Sequence, residues 1–163
     1  MAPSPDRVAI LLPLGVAVTM TFSTVIIHAL LLMPIIHFIR YELRLGRAGV
    51  LFWRDVGIVA GATLVALAAH LVAVATWAVL FTLCGEFSEL AAALYHSAMN
   101  YTTLGDNKVM SPSWRLLAAL EAANGMLMFG VSTAMLFAVI QRLFQTRFSE
   151  PSSFDRRVPR RRE

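Results

Sequence analysis

The chain has 163 residues, 58% of them hydrophobic and 15% charged, with a formal net charge of +4 and a mean hydropathy of +0.67. Soluble domains are typically about 45–50% apolar and about 25% charged, so this balance excludes an ordinary soluble domain and predicts one compact membrane unit. The single cysteine, Cys84, excludes an intrachain disulfide framework and a Cys-rich metal site.

The first element is the run from Val8 to Ile39, which contains no Asp, Glu, Lys or Arg. It exceeds the roughly 20 residues that cross a ~30 Å hydrocarbon core. It is also far longer than the ~7–15 residue core of a signal peptide, and only Arg7 precedes it as a basic residue, so a retained helix is expected. Pro13 lies near its start and Pro34 near its end, the latter a site for a kink. "RYELRLGRAGVLFWRD", Arg40 to Asp55, reads as an interfacial amphipathic linker helix with Trp53 as anchor. Val56 to Gly85 is a second uncharged run of spanning length. The next, Leu90 to Gly105, is too short to cross and suits a re-entrant segment. A short helix is expected over Phe87–Tyr101, capped by Ser88, with Glu86 and Glu89 at its positive end. Its C-terminal end then points into the membrane at "TTLGD", where freed carbonyls and the negative end of the dipole suit a cation. The third span covers the uncharged run Ala122–Gln141 and begins near Ser113, with Ser111 as N-cap, Pro112 at the first helical position and Trp114 at the interface.

Orientation follows from Lys and Arg. Arg40, Arg44, Arg47 and Arg54 follow the first span, and Arg142, Arg147, Arg156, Arg157, Arg160, Arg161 and Arg162 lie at the C-terminal end. Arg7, Lys108 and Arg115 lie on the opposite side. Positive residues favour the cytoplasm, so the expected protein is a multi-pass cell-membrane protein with its N-terminus outside and its C-terminus inside. The tail, "FSEPSSFDRRVPRRRE", reads as a basic segment attracted to anionic lipid.

The stretch Leu90–Gly130, "LAAALYHSAMNYTTLGDNKVMSPSWRLLAALEAANGMLMFG", resembles the pore module of the potassium-channel superfamily. In that family a pore helix leads into a Thr-Val-Gly-Tyr-Gly filter, and an inner helix follows. Thr103, Leu104 and Gly105 match Thr-Val-Gly, Tyr101 and Thr102 match the lead-in, and Trp114–Arg115 match the start of the inner helix. Gly125 falls at the family's hinge glycine, and Phe129–Gly130 continue the likeness. The chain then departs from the pattern. Asp106 stands in place of the filter Tyr and Asn107 in place of the second Gly, a substitution that a left-handed turn tolerates. The bracing Tyr is missing, so the two outer carbonyl rings are not expected. Gly-Asp here is similar to bacterial non-selective sodium/potassium channels and to cyclic-nucleotide-gated channels. Both imply a shortened, weakly selective filter, as fewer dehydrating sites in a row discriminate less.

The resemblance implies an all-α membrane protein with three transmembrane helices, a re-entrant pore helix and filter loop between the second and third, and a homotetrameric pore. Residues 1–39 are expected as a peripheral helix, 40–55 as a cytoplasmic linker, 56–146 as the pore domain and 147–163 as the basic tail. The filter is Thr102, Thr103, Leu104, Gly105 and Asp106, with a monovalent cation, K+ or Na+, at Thr103 and Leu104 and no other cofactor. Glu86, Glu89, Asn107 and Lys108 line the vestibule, where Lys108 either pairs with Asp106 or Glu89 or lowers conductance. Glu121, Asn124, Gly125 and Gly130 belong to the inner helix. Glu121 faces the cavity, binds behind the filter, carries a proton, or is an interfacial acid paired with Arg115 or a neighbour. Asn124 lines the cavity or bonds another helix, and the glycines bend the helix or pack it against another.

His28, His37, His70 and His96 raise a different class. Facing histidines suit a haem, and His28 and His70 share mid-membrane depth in antiparallel spans, although hydrogen bonding between helices is the commoner use. No nucleophile–base set, phosphate loop or Arg-rich voltage-sensing helix is present in the sequence, so neither an enzyme nor a nucleic-acid partner is expected. The function expected is passive cation conduction, with a potassium-selective channel and a non-conducting haem or regulatory subunit as alternatives.

Overall fold

A computed structural model describes residues 10–45 and 51–148, and among these the ordered elements are four helices: α1 (Leu11–Arg44), α2 (Phe52–Leu83), α3 (Leu90–Tyr101) and α4 (Arg115–Phe148). Three apolar stretches of 32 residues, Leu11–Glu42, Phe52–Leu83 and Arg115–Thr146, are each long enough to cross a membrane. At 1.5 Å per residue each extends for about 48 Å, past a ~30 Å hydrocarbon core, so their ends reach the interfaces. α3, with 12 residues, extends for about 18 Å and does not cross.

The all-helical fold with a short helix between the second and third spans is the expected one, with local differences. Residues 40–44 continue α1 and residues 52–55 begin α2, so the expected linker helix is divided between the ends of two spans. The segment between them and the basic tail beyond Phe148 lie outside the described residues. Glu42 at the end of α1 accepts from the Arg54 guanidinium of α2 and closes that corner. α1 runs as one helix through Pro34.

α2 is the hub of the bundle and packs on all three other helices. Its buried face carries Ala62, Ala66, Ala69 and Ala73, residues small enough to let a neighbouring backbone approach closely. Toward its C-terminal end the face widens to Trp77 and Phe81, both fully buried against Phe87, Tyr101, Met110 and Leu117. A smaller cluster of Ile39, Ile58, Val139 and Leu143 joins the other ends of α1, α2 and α4. Leu64, Leu67, Leu71 and Val79 are exposed, as apolar side chains facing lipid are.

α3 starts one residue later than a Ser88 cap requires. Glu89 is the N-cap, in extended conformation, and no side chain caps the helix. The chain reaches this point through Gly85, whose φ of +76° is the left-handed turn that ends α2.

Candidate pore site

The loop after α3 is tied to the end of that helix. The Thr102 amide and hydroxyl both donate to the Ala98 carbonyl, at 3.1 and 2.7 Å. The Thr103 amide donates to Asn100 O at 2.8 Å and the Gly105 amide to Met99 O at 3.0 Å. The Ala98, Met99 and Asn100 carbonyls of α3, expected to be free for a cation, are therefore engaged by the loop's own amides, and Tyr101 O is not among these acceptors. The helix dipole still ends at the loop. Thr103 and Gly105 both have positive φ, 65° and 78°, and Leu104 between them does not. A left-handed β-branched residue is a genuine outlier, held here by the bonds on either side. Thr102, Thr103, Leu104 and Gly105 are all exposed in the single chain, Leu104 at 75%.

Asp106 turns back toward the protein. Its carboxylate accepts from His96 Nδ1 of α3 at 2.8 Å, while His96 Nε2 lies 2.9 Å from Asn100 Nδ2, an amide donor. His96 is 1% exposed and packs against Phe81 and Phe87. The His96 bond holds the Asp106 carboxyl below its usual range, against the opposing effect of burial; the amides of Asn107 and Lys108 act with that bond. The carboxylate is thus a brace between loop and pore helix, and only 19% of it is exposed. Neither His96 nor this pairing was singled out from sequence as part of the site; the signal available was a His on a pore helix ten residues before an Asp.

The vestibule residues are also tied down. Lys108 was expected to neutralise itself on Asp106 or Glu89 or else to lower conductance. It pairs with neither acid: Nζ donates to the Glu86 backbone carbonyl and lies 3.4 Å above the Phe87 ring centroid, a cation–π contact. Asp106 is occupied by His96, which leaves it no acid to meet on the loop. The Glu86 carboxylate accepts from the Ser111 amide at 3.1 Å and from the Ser111 hydroxyl, so it joins the α2–α3 turn to the start of α4. The Ser111 carbonyl accepts from the Trp114 and Arg115 amides at the start of α4. Glu89 and Asn107 are exposed.

Behind the loop lies a buried polar layer. Glu121 of α4 is fully buried, with a carboxyl oxygen 2.5 Å from the Ser97 hydroxyl oxygen of α3, which in turn lies 2.9 Å from Val74 O of α2. Glu121 is thus bonded to α3 behind the loop, and its bond goes to Ser97 and not to Arg115. Asn124, 1% exposed, accepts from Thr24 of α1 at 3.1 Å. Its cavity placement is therefore corrected to a bond between helices, because Thr24 sits opposite it when α1 packs on α4. Gly125 lies under Tyr101: a Cβ there would come within 2.0 Å of the Tyr101 carbonyl oxygen. Close packing of α3 on α4 is thus what requires this glycine. Gly130 is exposed, with nothing within 4 Å of a Cβ.

The histidine pair is also placed. His28 Nε2 and His70 Nδ1 are 3.3 Å apart, and His70 Nδ1 is 3.2 Å from the Tyr101 hydroxyl. His70 Nε2 is 2.9 Å from Ser132 Oγ of α4, and the ring stacks on Phe129. The two imidazoles face each other as expected of antiparallel spans. They bond directly to each other, however, which is the geometry of a link between helices and not of two ligands flanking an iron. Among the described residues His37 bonds only to its own helix, at Met33 O.

α1 is joined to the rest through Thr24 and His28, so the helix expected as peripheral has buried polar bonds to α4 and α2. A family model described as an ion channel matches residues 69–142, from the middle of α2 through α3 and the loop to most of α4. No curated protein and no solved structure matches the chain significantly. The matched segment contains α3, the "TTLGD" loop and the helix that packs behind it, and over residues 69–142 the match supports the resemblance to a pore module of the potassium-channel superfamily.

Proposed function

We propose that four copies of this chain surround one axis and conduct monovalent cations passively, with weak discrimination between sodium and potassium. The observation that carries this reading is the exposed Thr102–Gly105 loop at the end of α3, backed by a fully buried layer. Irregular backbone between membrane spans is tolerated where it is buried in protein or lines water, and one chain gives this loop neither. Alternation of left-handed Thr103 and Gly105 with Leu104 supports a strip whose successive peptide groups turn to one side. A cation sheds part of its water at the Thr103 and Leu104 carbonyls, assisted by the negative end of α3. It rehydrates beside exposed α4 positions below the loop.

Weak selectivity rests on the short loop. The chain turns away at Asp106, whose carboxylate is committed to His96, so the carbonyls from Thr103 to Gly105 offer few sites in a row. The arginine distribution supports an N-terminus outside and a C-terminus inside. The basic tail suits anionic lipid.

The test is the reversal potential of purified protein in planar bilayers, with sodium on one side and potassium on the other. A value near zero is expected. A value at the potassium Nernst potential refutes weak selectivity, and absence of cation flux both in bilayers and in vesicles refutes conduction. Cross-linking in detergent is expected to end at four chains.

A further inference from the structure

At the end of the bundle away from the filter loop, α1 and α4 part to leave a groove of about 690 Å3. Its lining changes character along its length. Arg40 and Arg44 of α1 and Arg142 of α4 line one end. Ile36, Ile39, Met135 and Ala138 line the remainder. Ile36 lies about 12 Å from Arg44 along α1 and Met135 about 10 Å from Arg142 along α4, both toward the membrane interior. The groove is therefore cationic at the interface and apolar further in. Among the described residues none of the three guanidiniums has an acidic partner. Glu42, the acid nearest to them in sequence, is turned to Arg54.

We infer that this groove binds one anionic phospholipid per chain, with its phosphate among Arg40, Arg44 and Arg142 and an acyl chain along the apolar wall. The volume falls within the ~300–1,000 Å3 of small-molecule sites. Guanidinium is the side chain suited to phosphate, as it donates two parallel hydrogen bonds to paired oxygens. The polarity gradient runs in the direction in which a phospholipid lies in a leaflet, from charged head at the interface to hydrocarbon at depth. A free phosphate would use the arginines but not the apolar wall. Half of the site comes from α1, which lies outside the matched segment 69–142. The inference does not depend on conduction.

The test is lipid retention by the full chain purified in mild detergent, incubated with equal phosphatidylglycerol and phosphatidylcholine, and read by native mass spectrometry. One phosphatidylglycerol per chain is expected, with little phosphatidylcholine. Arg40→Gln/Arg44→Gln/Arg142→Gln is expected to weaken retention roughly 100-fold, given the attraction each basic residue near an anionic surface contributes. The corresponding triple lysine variant is expected to retain most of it, which separates lost charge from lost folding. Ala138→Trp fills the apolar wall, leaves the charge unchanged, and is expected to release the lipid. Four outcomes overturn the proposal: equal retention of the two lipids, loss only when the tail arginines are neutralised, equal competition by soluble glycerophosphate, or an Ala138→Trp variant that loses its oligomeric mass while keeping its lipid. The last would show that a neighbouring copy occupies the groove.

Discussion

Replacing Gly125 by alanine probes the contact on which the loop's position depends. The added Cβ falls 2.0 Å from the Tyr101 carbonyl oxygen and 2.9 Å from the Tyr101 carbonyl carbon, both backbone atoms. Reaching even 3.0 Å from that oxygen needs α3 and α4 to part by about 1 Å. Tyr101 is the last residue of α3, and Thr102–Gly105 hang from the carbonyls just before it, so the displacement passes into the loop. Overpacking of this kind costs about 1–3 kcal/mol, which outweighs the ~1 kcal/mol that alanine gains over glycine inside a helix. Gly130→Ala is the control: it has the same propensity gain and nothing within 4 Å. Thermal stability by fluorescence-detected size exclusion is expected to fall for Gly125→Ala and to hold or rise for Gly130→Ala. Cation flux from vesicles is expected to change with the first. Equal stability of the two variants together with unchanged flux in Gly125→Ala would refute the reasoning, because it would mean that α3 does not rest on α4 at this point.

Asp106 has a pH signature. Its folded-state carboxyl lies below the ordinary value of 3.8, so the stabilisation is fully present above that value and is lost as pH falls through the lower folded value. The melting temperature is expected to drop more steeply below about pH 4 in the wild type than in Asp106→Asn, and parallel curves would contradict the brace. Ser97→Ala removes the hydroxyl bonded to buried Glu121 and is expected to destabilise by about 1–3 kcal/mol, with Glu121→Leu in the same background restoring part of the loss; stability in denaturant reads both. Thr24→Val removes the α1–α4 hydrogen bond and is expected to cost about 0.6 kcal/mol, the average for such bonds in membranes, whereas no loss in a double-mutant cycle with Asn124→Leu would mean the pair is uncoupled.

The sequence by itself determined the spans, the short helix between them and the place of the loop. Those follow from long uncharged runs in a solvent that accepts no unpaired backbone, and they are local properties of the chain. The "TTLGD" run with its flanks carried the family likeness for the same reason. The roles of the polar residues were decided only by tertiary structure. Lys108 and Asp106 are two residues apart, which suggested a pair, yet helix α3 presents His96 to one and the α2–α3 turn presents a carbonyl to the other. Glu121 had several placements that sequence could not separate, and the crossing of α3 over α4 selected Ser97 as its partner. His28 and His70 shared a depth, but only the distance between α1 and α2 showed that they bond to each other. Burial in a membrane requires each polar group to find a partner, and the packing of the helices decides which one it finds.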